Sequence, residues 1–357
     1  MGLLGKETRP GHQHGTTRRY FLGLSRGTSS TALLHLLDEN VSFQLARSRA
    51  PPFQLSVIYV DPSPSNDPLD DPLAIFSKRY PRFTFQTIPL SSALSLPTID
   101  WTTLPLPPRD PNTSLPPQAQ LTSLLGSLPS AASRADIIRL LTRHILLWAT
   151  STSGAATLLL GHSTTALAEL TLTETAKGRG FALPWMMHDG HTVVRCYPPQ
   201  PFDTETPTNG NETPRRDSIL VYYPLRDVLR KELATLATLT IPPLTELIVS
   251  DGSAAGTNPG AAVVSHKDLS IEEVMVRYFA EVEENYPSIV ANVARTTGKL
   301  VRLLGGENER TCGLCSVPLD ELGDERWRGE LGIEEEGGEG WKWGICYGCQ
   351  RSTKVLQ

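Results

Sequence analysis

Nowhere in its 357 residues does this chain hold an apolar run near the ~18 needed to cross a bilayer. A membrane-spanning helix is therefore excluded, and no membrane partner is expected. The first residues lack an apolar h-region, so a secretory signal is not expected. Lys6 stands where a serine or threonine is wanted after Met1-Gly2, which argues against myristoylation. Strong positive charge is also missing: the net charge is −5, which excludes a basic nucleic-acid wrapper. The phosphate loop G-x-x-x-x-G-K-[ST] does not occur. Cysteine is scarce, five in all, with none before Cys196. These absences leave an intracellular protein, expected in the cytoplasm.

What is present points to an α/β protein. Charged residues make up 20% and hydrophobic ones 39%, enough to build a core. Residues 1–17 are polar and rich in Gly and His, and disorder is expected there. Arg19–Leu24, Leu55–Val60, Arg82–Ile88, Ala156–Leu160 and Ile219–Tyr223 read as strands. Helices are expected from Thr31, with Ser29 or Ser30 as cap, and over Arg134–Trp148, Thr165–Thr175, Val228–Leu239, Ser270–Glu284 and Ser288–Leu303. In the clearest of these, Ile137, Leu141, Ile145 and Trp148 fall on one face. Strands alternating with helices predict a parallel sheet with crossovers. Sixteen prolines lie between 51 and 130, so about 91–130 is expected to be an extended insertion. A second insertion is expected at 198–217. His188-Asp189-Gly190-His191 has metal-ligand residue types but reads as a turn at a hairpin tip.

Four of the cysteines form two C-x-x-C pairs, Cys312/Cys315 and Cys346/Cys349, with thirty residues between them. Two such knuckles can place four thiolates tetrahedrally around zinc. With all four positions taken, the metal would be structural and unable to activate water. An iron–sulfur cluster is the chief rival, because it also takes four cysteine thiolates. The surplus length between the knuckles is expected to form a hairpin-tip insertion at 329–340. Cys196 has no partner in this pattern and reads as a small buried residue.

Two loops sit where strands run into helices, and such turns present backbone N–H groups to anions. The first is Ser25-Arg26-Gly27-Thr28-Ser29-Ser30, the second Gly161-His162-Ser163. Residues 21–30 resemble the S-G-G-x-D-S loop of the PP-loop ATP pyrophosphatases. Gly161–Glu169 resembles the G-H-N-x-D-D-x-A-E segment of the tRNA-thiolating branch of that family. Tyr223-Pro224-Leu225-Arg226-Asp227 resembles its R-P-L segment. Acids are missing at Ser29, Thr165 and Ala166, where Mg²⁺ ligands would be wanted. Ser130-Ala131-Ala132-Ser133-Arg134 stands where the active branch has sulfur-handling cysteines. Leu159-Leu160-Gly161-His162-Ser163, followed by Lys177-Gly178-Arg179-Gly180-Phe181-Ala182-Leu183-Pro184, resembles the cytoplasmic tRNA 2-thiolation protein 2 family. The chain departs from that family in Arg26, which replaces a loop glycine, and in having no early cysteines.

The resemblance implies a PP-loop (nucleotide α-hydrolase-like) α/β sheet over 18–250, a helical extension over 251–305 and a zinc-ribbon-like cysteine segment over 306–357. It implies a non-catalytic subunit, with no catalytic residues of its own, in wobble-uridine 2-thiolation of tRNA. The implied partners are tRNA and a catalytic PP-loop subunit forming a heterodimer. That subunit takes sulfur from a ubiquitin-like carrier. Ser25, Gly27, Thr28, Ser29, Ser30, Gly161 and His162 would be a vestigial nucleotide site, with ATP binding left open. Lys177, Arg179, Arg215 and Arg216 are candidate tRNA contacts. The acidity is local, since residues 320–340 carry nine acids against Arg326 and Arg328. Two rivals are a self-sufficient ATP-dependent tRNA-adenylating thiolase and a zinc-ribbon protein-binding module with a vestigial α/β domain.

Overall fold

A computed structural model describes residues 18–47, 49–51, 53–62, 71–102, 104, 115–154, 157–197, 216–249, 270–302, 311–319 and 344–353. Six strands form one sheet: β1 (Arg19–Gly23), β2 (Gln54–Asp61), β3 (Thr84–Pro89), β4 (Thr157–Leu160), β5 (Gly190–Arg195) and β6 (Arg216–Tyr222). Their order is β3-β2-β1-β4-β6-β5, parallel throughout except for β5, which runs antiparallel to β6. This is the mostly parallel α/β sheet that the alternation of strands and helices predicts.

Alternation along each strand feeds two cores. Phe21, Ile58, Val60, Leu158 and Leu160 face one layer, while Tyr20, Leu22, Leu55, Val57 and Leu159 face the other. The first layer is covered by α4 (Ala131–Thr152), the second by α1 (Thr28–Ala46) and α7 (Arg230–Leu239). In α4 the predicted stripe is kept: Ile137, Leu141 and Ile145 are buried and Trp148 packs against them. Ser130 caps this helix, its Oγ accepting from the Ser133 amide at 3.0 Å. Helix α5 (Thr164–Ala176) follows β4, and α8 (Ile271–Asn285) and α9 (Pro287–Thr297) pack against it around Ala168, Phe279 and Val290.

Three expectations are corrected. The proline-rich stretch is not simply extended. It contributes a 3₁₀ turn at Leu90–Ser95 and helix α3 (Pro117–Gly126), with Leu90, Ala93, Leu94 and Leu121 in the core. Pro117 sits at the start of α3, where the missing N–H has no intrahelical partner to lose. The cap of α1 is Gly27, not Ser29 or Ser30, both of which lie inside its first turn. The His188–His191 stretch is not a hairpin tip: it joins the short helix Leu183–Met187 to β5, and Gly190 and His191 already belong to that strand. Two short helices complete the order, α2 (Ala74–Arg79) and α6 (Leu183–Met187), before α10 (Tyr347–Thr353) at the end. Residues 1–17, 198–215 and 320–343, with the expected disorder, most of the second insertion and the acidic run, lie outside the described residues.

Candidate metal centre and strand-end loops

The four paired cysteines converge. Cys312 and Cys315 lie in a turn closed by a single antiparallel bridge between Thr311 and Pro318. Ser316, in the left-handed region at φ 58°, returns its amide to the Cys312 carbonyl at 2.9 Å. Cys346 precedes α10 and Cys349 lies within it. All four are buried, and their sulfurs lie within 4.8 Å of one another. Cys315 and Cys346 are 3.8 Å apart, and the Cys346 amide points at Cys312 Sγ at 3.3 Å. Tetrahedral zinc with Zn–S near 2.3 Å requires S···S of about 3.8 Å. With one pair at that spacing and all four sulfurs within 4.8 Å of one another, the donor set fits a single metal ion. Among the described residues this is the one cluster of three or more metal-ligand side chains.

The centre is not a detached tail. Its cysteines belong to the same apolar core as β4, β6 and α4. His144 of α4 reaches the Leu314 carbonyl through Nε2 at 2.6 Å and Thr98 Oγ1 through Nδ1 at 2.9 Å. A carbonyl only accepts, so Nε2 carries the proton and Nδ1 accepts from Thr98. Burial pushes the His144 pKa down to about 4, and the nearby Arg143 charge acts in the same direction.

The loop Lys177-Gly178-Arg179-Gly180 is the seat on which the second knuckle rests. Gly178 has φ +80°, and a Cβ there would lie 2.4 Å from the Tyr347 ring. A Cβ on Gly348 would lie 2.4 Å from Arg179 Cγ and 2.8 Å from the Lys177 carbonyl. The two glycines thus let backbone and side chain interlock. Arg179 is fully buried; its Nε donates to Glu174 at 2.7 Å, and Nη2 donates to Asp136. Lys177 donates to Asp136 at 2.9 Å and also to Glu272. Arg139 bridges Asp136 at 3.0 Å and Glu174 at 2.6 Å. Burial opposes ionisation of Asp136, but Arg179, Arg139 and Lys177 outweigh it and hold the carboxyl far below its ordinary range. Burial likewise opposes charge on Arg179, and Cys349, Glu174 and Asp136 outweigh it.

This placement corrects the reading of Lys177 and Arg179 as tRNA contacts. Arg179 shows no surface and Lys177 little, and their donors are taken by carboxylates, so neither is offered to a phosphate backbone. Arg215 lies outside the described residues, and Arg216 opens β6. Asp136 and Glu174 were missed by sequence reasoning. The available signal was that Asp136 shares the stripe of Leu140 and Ile137, where an unpaired acid would be too costly to bury.

The two strand-end loops also meet. Neighbours in the sheet, β1 and β4 mark the point where strand order reverses, the usual crevice of doubly wound sheets. Ser25, Gly27, Thr28, Ser29 and Ser30 lie on one side, Gly161 and His162 on the other. A Cβ on Gly161 would lie 2.6 Å from Ser30 Cα, so only glycine permits this approach. The hydroxyls of Ser25 and Ser30 are 3.0 Å apart and close on the loop's own backbone, Ser30 donating to the Gly27 carbonyl at 3.2 Å. Arg26 adopts φ 63°, the conformation glycine favours, and lays its guanidinium over Tyr59. Where acids would hold Mg²⁺, Thr165 Oγ1 instead accepts from the Arg230 amide at 3.0 Å. His162 packs edge-on against Tyr223, and burial, with Arg143, lowers its pKa to about 4.

These neutral imidazoles predict acid sensitivity. Each takes up a proton near pH 6.5 when unfolded but only near pH 4 when folded. Their full stabilising share is present above pH 6.5 and is lost as pH falls towards 4. His144 alone is expected to cost about 2 kcal/mol of stability at pH 5. His162, which keeps a partly exposed edge, adds less. Urea midpoints measured at pH 7 and pH 5 should fall accordingly, and equal midpoints would refute this.

A family model described as cytoplasmic tRNA 2-thiolation protein 2 matches residues 270–351, which span α8, α9 and all four paired cysteines. A protein of that name from Phaeosphaeria nodorum is 38% identical over 339 residues, covering 94% of this chain and 81% of the relative. The chain belongs to the cytoplasmic tRNA 2-thiolation protein 2 family. Relatives of the same name from Pyrenophora tritici-repentis (34%, covering 94% of this chain and 82% of the relative) and Sclerotinia sclerotiorum (37%, covering 78% and 68%) agree. Among solved structures, the U34-tRNA thiolase NcsA from Methanococcus maripaludis with its [4Fe-4S] cluster aligns at TM-score 0.48 and 16% identity, covering 88% of this chain and 83% of that one. The family is cytoplasmic by name, and among the described residues no helix is long and apolar enough to cross a membrane.

Proposed function

We propose that this member of the cytoplasmic tRNA 2-thiolation protein 2 family is a non-catalytic subunit in wobble-uridine 2-thiolation. It acts beside a catalytic PP-loop partner that transfers sulfur from a ubiquitin-like thiocarboxylate carrier. The observation that carries this reading is the strand-end crevice. Its architecture is kept, but Ser29, Thr165 and Ala166 stand where carboxylates would ligate Mg²⁺, and Thr165 is spent on the Arg230 amide. Adenylating a base oxygen leaves pyrophosphate charge, and no carboxylate stands at these three positions to hold the Mg²⁺ that would neutralise it. The four cysteines hold a structural zinc ion. Its sulfurs saturate the ion, so it carries load rather than chemistry. Lys177 and Arg179 serve this centre, and tRNA phosphates are met elsewhere on the surface.

The test is pyrophosphate release from ATP in the presence of tRNA. The isolated chain is expected to release none, and release should appear only when the catalytic subunit is added. Turnover by the isolated chain would favour the self-sufficient thiolase instead.

A further inference from the structure

Arg179 has three faces and each is occupied. Its Nε and Nη2 serve Glu174 and Asp136, while Nη1 points at Cys349 Sγ at 3.6 Å. We propose that Arg179 is the positioning residue of the four-cysteine centre, its guanidinium donating to the metal-bound Cys349 sulfur and fixing that ligand to the α/β core. The inference rests on the metal reading of the cysteines given above.

Charge is the first argument. Asp136, Glu174 and Glu272 are matched by Arg139, Lys177 and Arg179, so the network, buried except at the partly exposed Arg139 and Glu272, sets no excess of acid beside the cysteines. Four thiolates on a dication add two further negative charges in a buried setting, where unmatched charge is costly. Of the network's cations, Arg179 is the one that donates to a ligand sulfur. Hydrogen bonds to ligand atoms orient them and tune the metal.

Shape is the second. Gly348, one residue before Cys349, rests on Arg179 Cγ, so the arginine stem sets the height of the knuckle. Ser352, one turn further along α10, donates to Asp136 Oδ2 at 2.7 Å. Helix α10 is therefore latched twice to one carboxylate, directly through Ser352 and through Arg179. The fork matters as much as the charge, because its donors diverge in one plane towards Glu174, Asp136 and Cys349, a spread that the compact ammonium of lysine does not reproduce.

The experiment uses the full chain with cobalt(II) in place of the native metal. Arg179→Met keeps the stem beneath Gly348 but removes the donors. Its sulfur-to-cobalt charge-transfer band should move to lower energy, because an undonated thiolate gives up charge more readily. Its metal should pass to a chelator with about 10- to 100-fold lower retention. Ser352→Ala removes the other latch and should leave the band where it is, which separates a bond to sulfur from general loosening. Should the methionine variant fail to fold, Arg179→Lys keeps a charge for the carboxylates and is still expected to show the shifted band. A wild-type band and wild-type retention in either folded variant would overturn the proposal. Wild-type protein that takes up no metal would overturn the metal reading itself, a result visible before any variant is made.

Discussion

Cells lacking this chain are expected to lose wobble 2-thiouridine from their tRNA while the catalytic PP-loop subunit remains present. The reasoning starts from the crevice between β1 and β4. Gly161 lies against Ser30 so closely that no side chain fits between them, and the serines of the first loop close on their own backbone. Such a crevice keeps its form without metal carboxylates, as expected of a fold retained for assembly rather than for turnover. In a pair of related folds each subunit can present the matching surface, giving a pseudo-symmetric heterodimer. On the proposed pairing, removing this chain would leave the catalytic subunit without its counterpart, so the loss of thiouridine should be near complete. Mass spectrometry of nucleosides from digested tRNA measures it directly. Normal thiouridine in cells without the chain would overturn the functional reading.

Replacing Cys312 by serine is expected to release about one zinc ion per chain and to unfold more than the cysteine segment. Binding energy in structural zinc sites is folding energy, with apparent values of about 10–16 kcal/mol in isolated fingers. Here the sulfurs belong to the core that also contains Leu158 of β4, Val221 of β6 and Leu141 of α4. His144 and the Asp136 network join the centre to α4 by hydrogen bonds. Loss of the ion should therefore lower the urea midpoint of the whole chain and expose the amides of α10 and α4 to hydrogen exchange. Elemental analysis gives the metal. A metal-free protein with protected α10 amides, or one that holds iron, would contradict the prediction.

The sequence by itself determined whatever depends on short-range pattern. The short apolar runs LSVIYV and ATLLL marked β2 and β4, because parallel strands covered on both faces are apolar almost throughout. The stripe through Ile137, Leu141 and Ile145 marked α4, and the C-x-x-C spacing marked the metal centre, because a knuckle needs only its own few residues. The glycines and small residues after β1 and β4 marked the crevice. Strand β5 was illegible, since its alternation is interrupted and its pairing with β6 spans a long insertion. Helix α3 was hidden by proline, which forbids a helix interior but not its first position.

Only the tertiary structure decided what Lys177 and Arg179 do. Read along the chain they are a basic loop after a helix, the usual mark of a solvated surface. Asp136 lies 43 residues before Arg179, and Cys349 lies 170 after it. No local pattern records that these three meet. A lone charge is cheap in water and costly in a core, so the same side chain takes opposite roles according to what folds over it. Here the fold brings Asp136, Glu174 and the second cysteine knuckle around the guanidinium, and that enclosure ties Arg179 to the four-cysteine site.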